Sequence, residues 1–464
     1  MSLVLGVPAA VLELNQRGLL ERAFHDGLFP ALVYRAEALA EEWPANTGNQ
    51  LFMSRPGLIS PMVTPNTPGT DPTPKAVPFE QWIAELNQFA DTIDIDMPTA
   101  ITSNANLFLR LIHQLGLQAG QSINRIARNA LFKAYLSGQT VSTAAIAAVD
   151  TSIAVASLNG FRDVVLPGTN VAPQPVGPAF PLPITIGTGA TTATASVVGA
   201  VPNDPTDPDG PGTLLLAAAV GTLFAAARNP VRSRFAPRIV RSAGGDSIDA
   251  IGPGDTFVLQ QAINAVGFLR NANVQPHEDG FYHAHISPLA NSQIFADPVF
   301  QRLNQSLPEH VIYKEGFIGT ISGIMFFMNP ESPSLTNSGP TTATGASSLY
   351  AKEIGAEVVN KDGTQVGRVV LTGKGSLYER WLNEQQYVSE AGVTGKTGDF
   401  DVINNGIQIL TERIRLVLRA PLDRLQQKVA ATWSISTSFP VPSDITAPSG
   451  VERFKRAIVL EFAA

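Results

Sequence analysis

Seven prolines fall between positions 55 and 78, at 56, 61, 65, 68, 72, 74 and 78, with Gly57 and Gly69 among them. Proline fixes φ and removes a backbone donor, so no helix or central strand can run through this stretch. It has to be an extended arm, and an arm without a core of its own needs something to lie on. Any fold for the 464-residue chain must accommodate such an arm close to its N-terminus. Before it, Leu12, Leu19, Leu20, Ala23 and Phe24 fall at helical spacing. Pro30 then opens a second predicted helix, with Leu32, Ala36 and Leu39 on one face and Pro44 as its stop.

The segment after the arm, FEQWIAELNQFADTIDIDM, alternates with period two: Trp82, Ala84 and Leu86 on one side, then Ile93, Ile95 and Met97. The change of side near Phe89 predicts a long strand with a slip, or two strands. Thr102 or Ser103 is placed to cap a long helix carrying Leu107, Leu111, Leu115, Ala119, Ile123, Ile126, Ala130 and Ala134 and ending at Gly138. Gly116 and Gly120 in its middle predict a kink or a close helix approach.

From 156 to 254 the chain turns rich in Pro, Gly and Thr, with β-prone runs such as ITI and TASVV, and reads as a small β-rich insertion. Asp255 is the expected N-cap of a helix carrying Leu259, Ala262, Ile263, Val266 and Leu269. The strand GFYHAHI follows. Ser287-Pro288 and Asp297-Pro298 then announce two short helices. Phe317–Met328 reads as apolar β, 332–348 as a loop, and Asp362-Gly363 as a hairpin turn. The last third is again β-rich, and no repeat of 20–50 residues is present.

Composition narrows the function. Charged residues are 15% of the chain, below the roughly 25% of ordinary domains, and the net charge is −7, which argues against a protein whose main task is gripping nucleic acid. Cysteine is absent, which excludes disulfides, thiolate metal sites and a cysteine nucleophile and suits a reducing compartment. The N-terminus lacks a basic region before its apolar stretch, so a secretory signal reads poorly, and no apolar run approaches the ~20 residues of a spanning helix, so no membrane is expected.

Few motifs carry chemistry. His283 and His285 share one face of a predicted strand just after His277, Glu278 and Asp279, an arrangement open to a metal or to a plain polar strand face. In GVTGKTG the first glycine of a phosphate loop is replaced by Glu390, and Lys374 is followed by Gly375; neither is a Walker loop. No G-x-S-x-G elbow exists. Charge is more telling as a pattern. Residues 76–109 hold Glu80, Glu85, Asp91, Asp94 and Asp96 without a basic residue, whereas 97–149 hold Arg110, Arg125, Arg128 and Lys133 without an acid. Either these are two solvated faces, or the acidic strand lies on the basic helix of a neighbouring copy, where complementary potential fixes register. A second basic run, Arg228, Arg232, Arg234, Arg238 and Arg241, has no acid from 210 to 245 and is open to contact with phosphate or an acidic surface.

In order and spacing, these elements resemble the major capsid proteins of tailed double-stranded DNA phages, the Hong Kong 97-like fold, over roughly residues 45–160 and 250–464. The matching stretches are GFYHAHISPLANSQIFADPVFQRL, EGFIGTISGIMFFMN, APLDRLQQKVAATWSISTSF and RFKRAIVLEFA. The resemblance implies an α+β chain divided into an N-terminal arm (1–46), an extended β loop (47–98), a peripheral domain with a spine helix (99–155), the β-rich insertion (156–254), an axial domain (255–384) and strands returning to the periphery (385–464). It further implies a structural protein, not an enzyme and without cofactors, that self-assembles as hexamers and pentamers into an icosahedral head in bacterial cytoplasm. The implied partners are portal, scaffold and decoration proteins and non-specifically held DNA. Lys75, Glu80, Glu85, Asp94, Asp96, Arg110, Arg125 and Arg128 become the candidate inter-subunit contacts. Some relatives cross-link a loop lysine to a neighbour's asparagine; Lys75 is the only lysine of the arm, and no catalytic acid can be assigned to it. The insertion and the 332–348 loop depart from the shared pattern. Two alternatives remain: an encapsulin-type nanocompartment shell, whose subunits are much shorter, and a metal-dependent hydrolase using His283 and His285.

Overall fold

The computed structural model describes residues 18–28, 32–44, 47–56, 62–96 except 73, 76 and 78, 107–164, 173–189, 191–304, 319–329, 331–332, 362, 364, 366–383, 395–397, 400–402, 406–411, 413–419, 427–442 and 456–463. The architecture is α+β, dominated by strands, and the chain divides into two compact units. One comprises Met1–Phe52, Ile83–Ala130 and Leu377–Pro440; the other comprises Met53–Trp82, Leu131–Ser376 and Val441–Ala464.

The first unit is built on the long helix. Helix α1, Leu19–Leu28, buries Leu20, Phe24 and Leu28; helix α2, Leu107–Tyr135, runs unbroken for 29 residues, about 44 Å at 1.5 Å per residue. Phe108, Ile112, Leu115, Ala119, Ile123 and Ala127 form its buried stripe. The glycine expectation resolves as a close approach: a Cβ on Gly116 would stand 2.3 Å from the Phe24 carbonyl oxygen, and one on Gly27 would stand 2.3 Å from that of His113. Each glycine lets the other helix's backbone in. Gly138 follows α2 with φ +70°, the left-handed stop its position predicts. Residues 101–106, where a cap was expected, lie outside the described residues.

The second N-terminal helix is not formed as predicted. Arg35–Glu37 makes one 3-10 turn, and Ala38–Glu42 is a strand pairing in parallel with Leu377–Trp381. The apolar spacing at 32, 36 and 39 is too short to outweigh a free partner strand. Those two strands open an eight-stranded sheet that continues through Lys428–Ser438, Ile414–Arg419, Gly406–Thr411, Phe400–Val402 and Gly395–Thr397, with Asn87–Asp96 also paired to Lys428–Ser438. Ile414, Leu416, Leu418, Val429, Ala431, Trp433 and Ile435 alternate into its core. Glu379 of this sheet is a buried acid between two arginines: the buried Arg35 donates from Nε and Nη2 at 3.0 and 2.7 Å, and the partly exposed Arg413 reaches the other Glu379 oxygen from Nη1 at 2.9 Å.

The region that alternates does form two strands, Phe79–Glu85 and Asn87–Asp96, broken at Leu86, where the buried side switches from 82 and 84 to 93 and 95. Gln50–Pro56 pairs with Phe79–Glu85 as a two-stranded ribbon.

Besides the short pair Asp163–Val164 and Gln174–Pro175, the second unit holds two six-stranded sheets. In the first, strands run in the order Gln139–Val141, Pro230–Ser233, Leu182–Thr188, Thr191–Pro202, Gly212–Leu216 and Ser152–Val155. Its ends meet, because Ser142 bridges to Val155, the Ala156 N–H donates to the Val141 carbonyl at 3.0 Å, and the Thr143 N–H donates to that of Ala154 at 2.9 Å. The sheet is thus a closed barrel without edges, filled by Ile153, Val155, Ile184, Ile186, Val197, Leu214 and Val231. Two of its strands precede residue 156, where the insertion was expected to begin. The second sheet runs Ile239–Arg241, Ala457–Ala463, Val366–Thr372, Tyr282–Ile286, Ile324–Met328, Thr320–Ile321. Helices α3 (Leu259–Asn271), α4 (Pro288–Ala296) and α5 (Pro298–Asn304) belong to the same core. The Asp362-Gly363 hairpin and the 332–348 loop fall mostly outside the described residues.

The caps show one correction. Ser287 accepts from the Ala290 N–H at 3.1 Å, as expected. Asp255 does not cap α3; it accepts instead from the Gly252 N–H. The Leu259 N–H is taken by Asp297 Oδ2 at 2.9 Å, while Asp297 Oδ1 accepts from Val299 at the start of α5. One aspartate thereby closes two helix N-termini, which no local pattern reveals.

Glu461, on the central C-terminal strand, is the second buried acid with two arginines: Arg241 Nε donates to it at 2.8 Å and Arg368 Nε at 3.1 Å. Complete burial opposes its ionisation, but Arg241 and Arg368 outweigh this and hold its carboxyl below the usual range. A carboxyl with a depressed folded-state pKa contributes stability above its unfolded pKa, and that contribution is lost as pH falls through the folded value. Glu461→Gln is expected to cost about 3–5 kcal/mol at neutral pH, since it strands two buried cations. In urea melts at a series of pH values, the gap to wild type should narrow only on acidification below pH ~4.5. Gly116→Ala should cost about 1–3 kcal/mol in the same melts, because its methyl meets backbone that cannot yield as a side chain would.

Candidate functional site

The charged candidates sit on the arm, on two strands and on the long helix. Asn87–Asp96 runs antiparallel to Lys428–Ser438 with Asp96 opposite Lys428 and Asp94 opposite Ala430. Gln118 of α2 ties this acidic strand to the sheet beneath it: its Nε2 donates to Asp91 at 2.6 Å and its Oε1 accepts from Trp433 Nε1 at 2.6 Å. The acidic strand therefore lies beside the basic helix of its own chain. Asp94 and Arg110 remain exposed, Asp96 and Arg125 half-buried. Glu85 is exposed and accepts from Gln50 Nε2 at 3.0 Å. Glu80 lies on Phe79–Glu85, with its side chain outside the described residues. Lys75 is exposed on the arm. Arg128 is corrected: it is only 1% exposed, with Nε and Nη2 toward Asn129 Oδ1, and a guanidinium so enclosed offers no surface to a neighbour.

Four arginines of the second basic run have partners within the chain. Arg228 makes a two-pronged contact with Asp249 at 2.9 and 2.8 Å, Arg232 reaches Asp246 at 3.2 Å, Arg241 is held by Glu461, and Arg238 lies 3.5 Å over the Phe268 ring. The partners come from residues beyond the acid-free window, so four of these arginines are engaged within their own chain. Arg234 and Arg238 stand exposed.

The histidines do share a strand face. His285 is buried, and His283 is mostly enclosed. The His283 ring stacks on that of His277 at 4.0 Å and 10°, its Nε2 meets Asp279 Oδ2 at 2.8 Å, and Phe327 touches both His283 and His285. His277 Nε2 lies 3.2 Å from the Thr372 hydroxyl. Burial opposes ionisation of Asp279, yet the Phe281 N–H and His283 hold its carboxyl below the ordinary range. An imidazole binds metal along the lone pair in its ring plane. Asp279 already engages His283, and the His277 ring lies flat against it. The arrangement is a packed aromatic stack and does not favour the hydrolase alternative. Lys396 and Thr397 lie on the strand Gly395–Thr397, not in a phosphate-cradling turn, and the Lys374 N–H donates to the Gln275 carbonyl.

What sequence reasoning missed is apolar. Phe52 is 58% exposed, Met62 63%, Val63 86% and Phe79 55%, with Val77 and Ile83 also open. All belong to the two-stranded ribbon or to the proline-rich arm between its strands. The signal was present in the alternation: if Trp82 and Ala84 face inward, Ile83 faces out.

Metal analysis of the purified protein tests the histidine reading. Less than a tenth of an equivalent of zinc or manganese is expected, because Asp279 already holds His283 in a hydrogen bond, and His283→Asn should leave that content unchanged.

No protein-family model and no curated protein matches the sequence. Among solved structures the chain is similar to the capsid of cyanophage P-SCSP1u, at 10% identity and a TM-score of 0.46 over 93% of this chain and 88% of that one. It is similar to the capsid of cyanophage Pam1, at 9% and 0.48 over 94% and 92%. It is similar also to the capsid of Ralstonia phage GP4, at 10% and 0.43 over 93% and 88%.

Proposed function

We propose that the chain is the major capsid protein of a tailed double-stranded DNA phage, a structural subunit that assembles with copies of itself into an icosahedral head. The observation that carries this reading is the exposed apolar ribbon and arm over residues 50–85. A two-stranded ribbon cannot stabilise itself in water, and exposed Phe52, Met62, Val63 and Phe79 gain free energy only when covered. In a ring of identical subunits the cover is the next copy, a heterologous contact that repeats until the ring closes. The element order supports the same reading: N-terminal segment, extended ribbon, 29-residue helix, barrel, mixed sheet and returning strands follow the sequence resemblance.

In this reading the protein has no catalytic role. Lys75, Glu80, Glu85, Asp94, Asp96, Arg110 and Arg125 line contacts between copies, while portal, scaffold and decoration proteins complete the particle. Assembly takes place in bacterial cytoplasm, and DNA meets the shell through generic electrostatics. Among the described residues no helix is long and apolar enough to cross a membrane. An encapsulin-type shell predicts enclosed protein cargo; the phage reading predicts DNA.

Negative-stain images of the expressed protein, alone and beside a scaffold protein, are expected to show rings or closed shells. The double variant Phe52→Asp/Ile83→Asp changes only exposed positions, so each subunit should keep its unfolding midpoint to within about 0.5 kcal/mol while shells disappear. Monodisperse monomers of wild type at every concentration would overturn the proposal.

A further inference from the structure

At the root of the barrel, inside the second unit, is a cavity of about 70 Å³. Its floor is Arg241 and Arg368 on either side of Glu461; its walls include Gln139 and Asn159, and Arg232 stands at its mouth with Asp246. The Arg241 guanidinium is 95% buried and unevenly engaged. Its Nε is committed to Glu461 at 2.8 Å, but Nη1 reaches the Gly245 carbonyl and Nη2 reaches Gln139 Oε1 only at 3.4 Å. Good N–H···O bonds lie near 2.9 Å, so each terminal nitrogen makes one long bond and keeps a second N–H for an acceptor. A buried guanidinium in that condition calls for an acceptor, and the cavity beside it has room for several waters or one tetrahedral ion.

We propose that this cavity binds a small tetrahedral oxyanion of the inorganic phosphate class, held two-pronged by the Arg241 fork and gated by Arg232. Planar guanidinium presents paired donors that match two oxygens of such an ion, and a low-dielectric floor strengthens the contact. Because Gln139 opens the barrel's first strand and Arg241 lies on the neighbouring sheet, an ion bonded to Arg241 reinforces the junction between barrel and sheet. The inference does not depend on the capsid reading; a clamp of this kind would serve any protein carrying the barrel.

The test is isothermal titration of the full chain with inorganic phosphate, in buffer matched in ionic strength with chloride, together with thermal melts across the same range. Wild type is expected to bind one equivalent and to melt at a midpoint that rises and saturates with phosphate. Gln139→Glu places a carboxylate against the same Arg241 nitrogens, and should weaken phosphate binding about tenfold or more. Arg232→Gln, at a half-exposed position, should weaken it severalfold with the fold intact, and stands as the second variant if Gln139→Glu fails to fold. Folded wild type without a saturable response, or variants that respond as wild type does, would overturn the proposal. Equal stabilisation by a DNA oligonucleotide at the same phosphate concentration would overturn the assignment to a free ion.

Discussion

The second unit depends on a strand that arrives last. Ala457–Ala463 is buried at every position and sits inside its sheet, parallel to Ile239–Arg241 on one edge and antiparallel to Val366–Thr372 on the other. Until those seven residues are in place, the neighbouring strands expose ladder groups to water, and Arg241 and Arg368 face one another without the carboxylate that reconciles them. The first unit is built likewise: Ala38–Glu42 and Asn87–Asp96 have no sheet until residues from 377 onward return to them. Such long-range pairing pays loop-closure entropy before it is rewarded, so this topology folds slowly and late.

What was legible in the sequence divides along the same line. Features decided by local chemistry were readable: the long helix and its Gly138 stop, the strand break between Trp82 and Ile93, the Ser287 cap, the strand around His283. Features decided by distant segments were not. The periodicity at Leu32, Ala36 and Leu39 spoke for a helix, but a parallel partner at 377–381 claimed the backbone. Asp255 carried the right cap signature, yet Asp297, 38 positions beyond Leu259, supplies the bond. The barrel was readable as β-rich, but not its closure, which turns on a single bridge between Ser142 and Val155. Gly116 was visible as a close approach; that Gly27 is its counterpart required the crossing itself.

The candidate site was half legible for an electrostatic reason. Runs such as 228–241 look unbalanced because charge is counted along the chain, whereas neutralisation happens across it. Asp246, Asp249 and Glu461 lie just outside or far beyond the window. The same holds for Arg128, which sequence places on a basic face and packing places in the core. Hydrophobic exposure is the complementary case. Alternation fixes which side of a strand a residue takes, but not which side is covered, so Ile83 and Phe79 read as ordinary strand residues until their surroundings are seen.

The low charge of the chain acquires a specific meaning from these placements. A solvated monomer this large ordinarily keeps about a quarter of its residues charged, mostly outward. Here two buried carboxylates draw three enclosed arginines, Arg35, Arg241 and Arg368, out of water, and the barrel closes its edges without spending lysines to defend them. The ribbon and arm do the opposite, leaving aromatic and aliphatic side chains open on a segment that proline keeps extended. Edges are thus sealed where the chain is self-sufficient and left apolar where it is not. For a free monomer that combination is an aggregation hazard; for a subunit whose neighbours are identical copies, it confines association to one segment and gives the contact its direction.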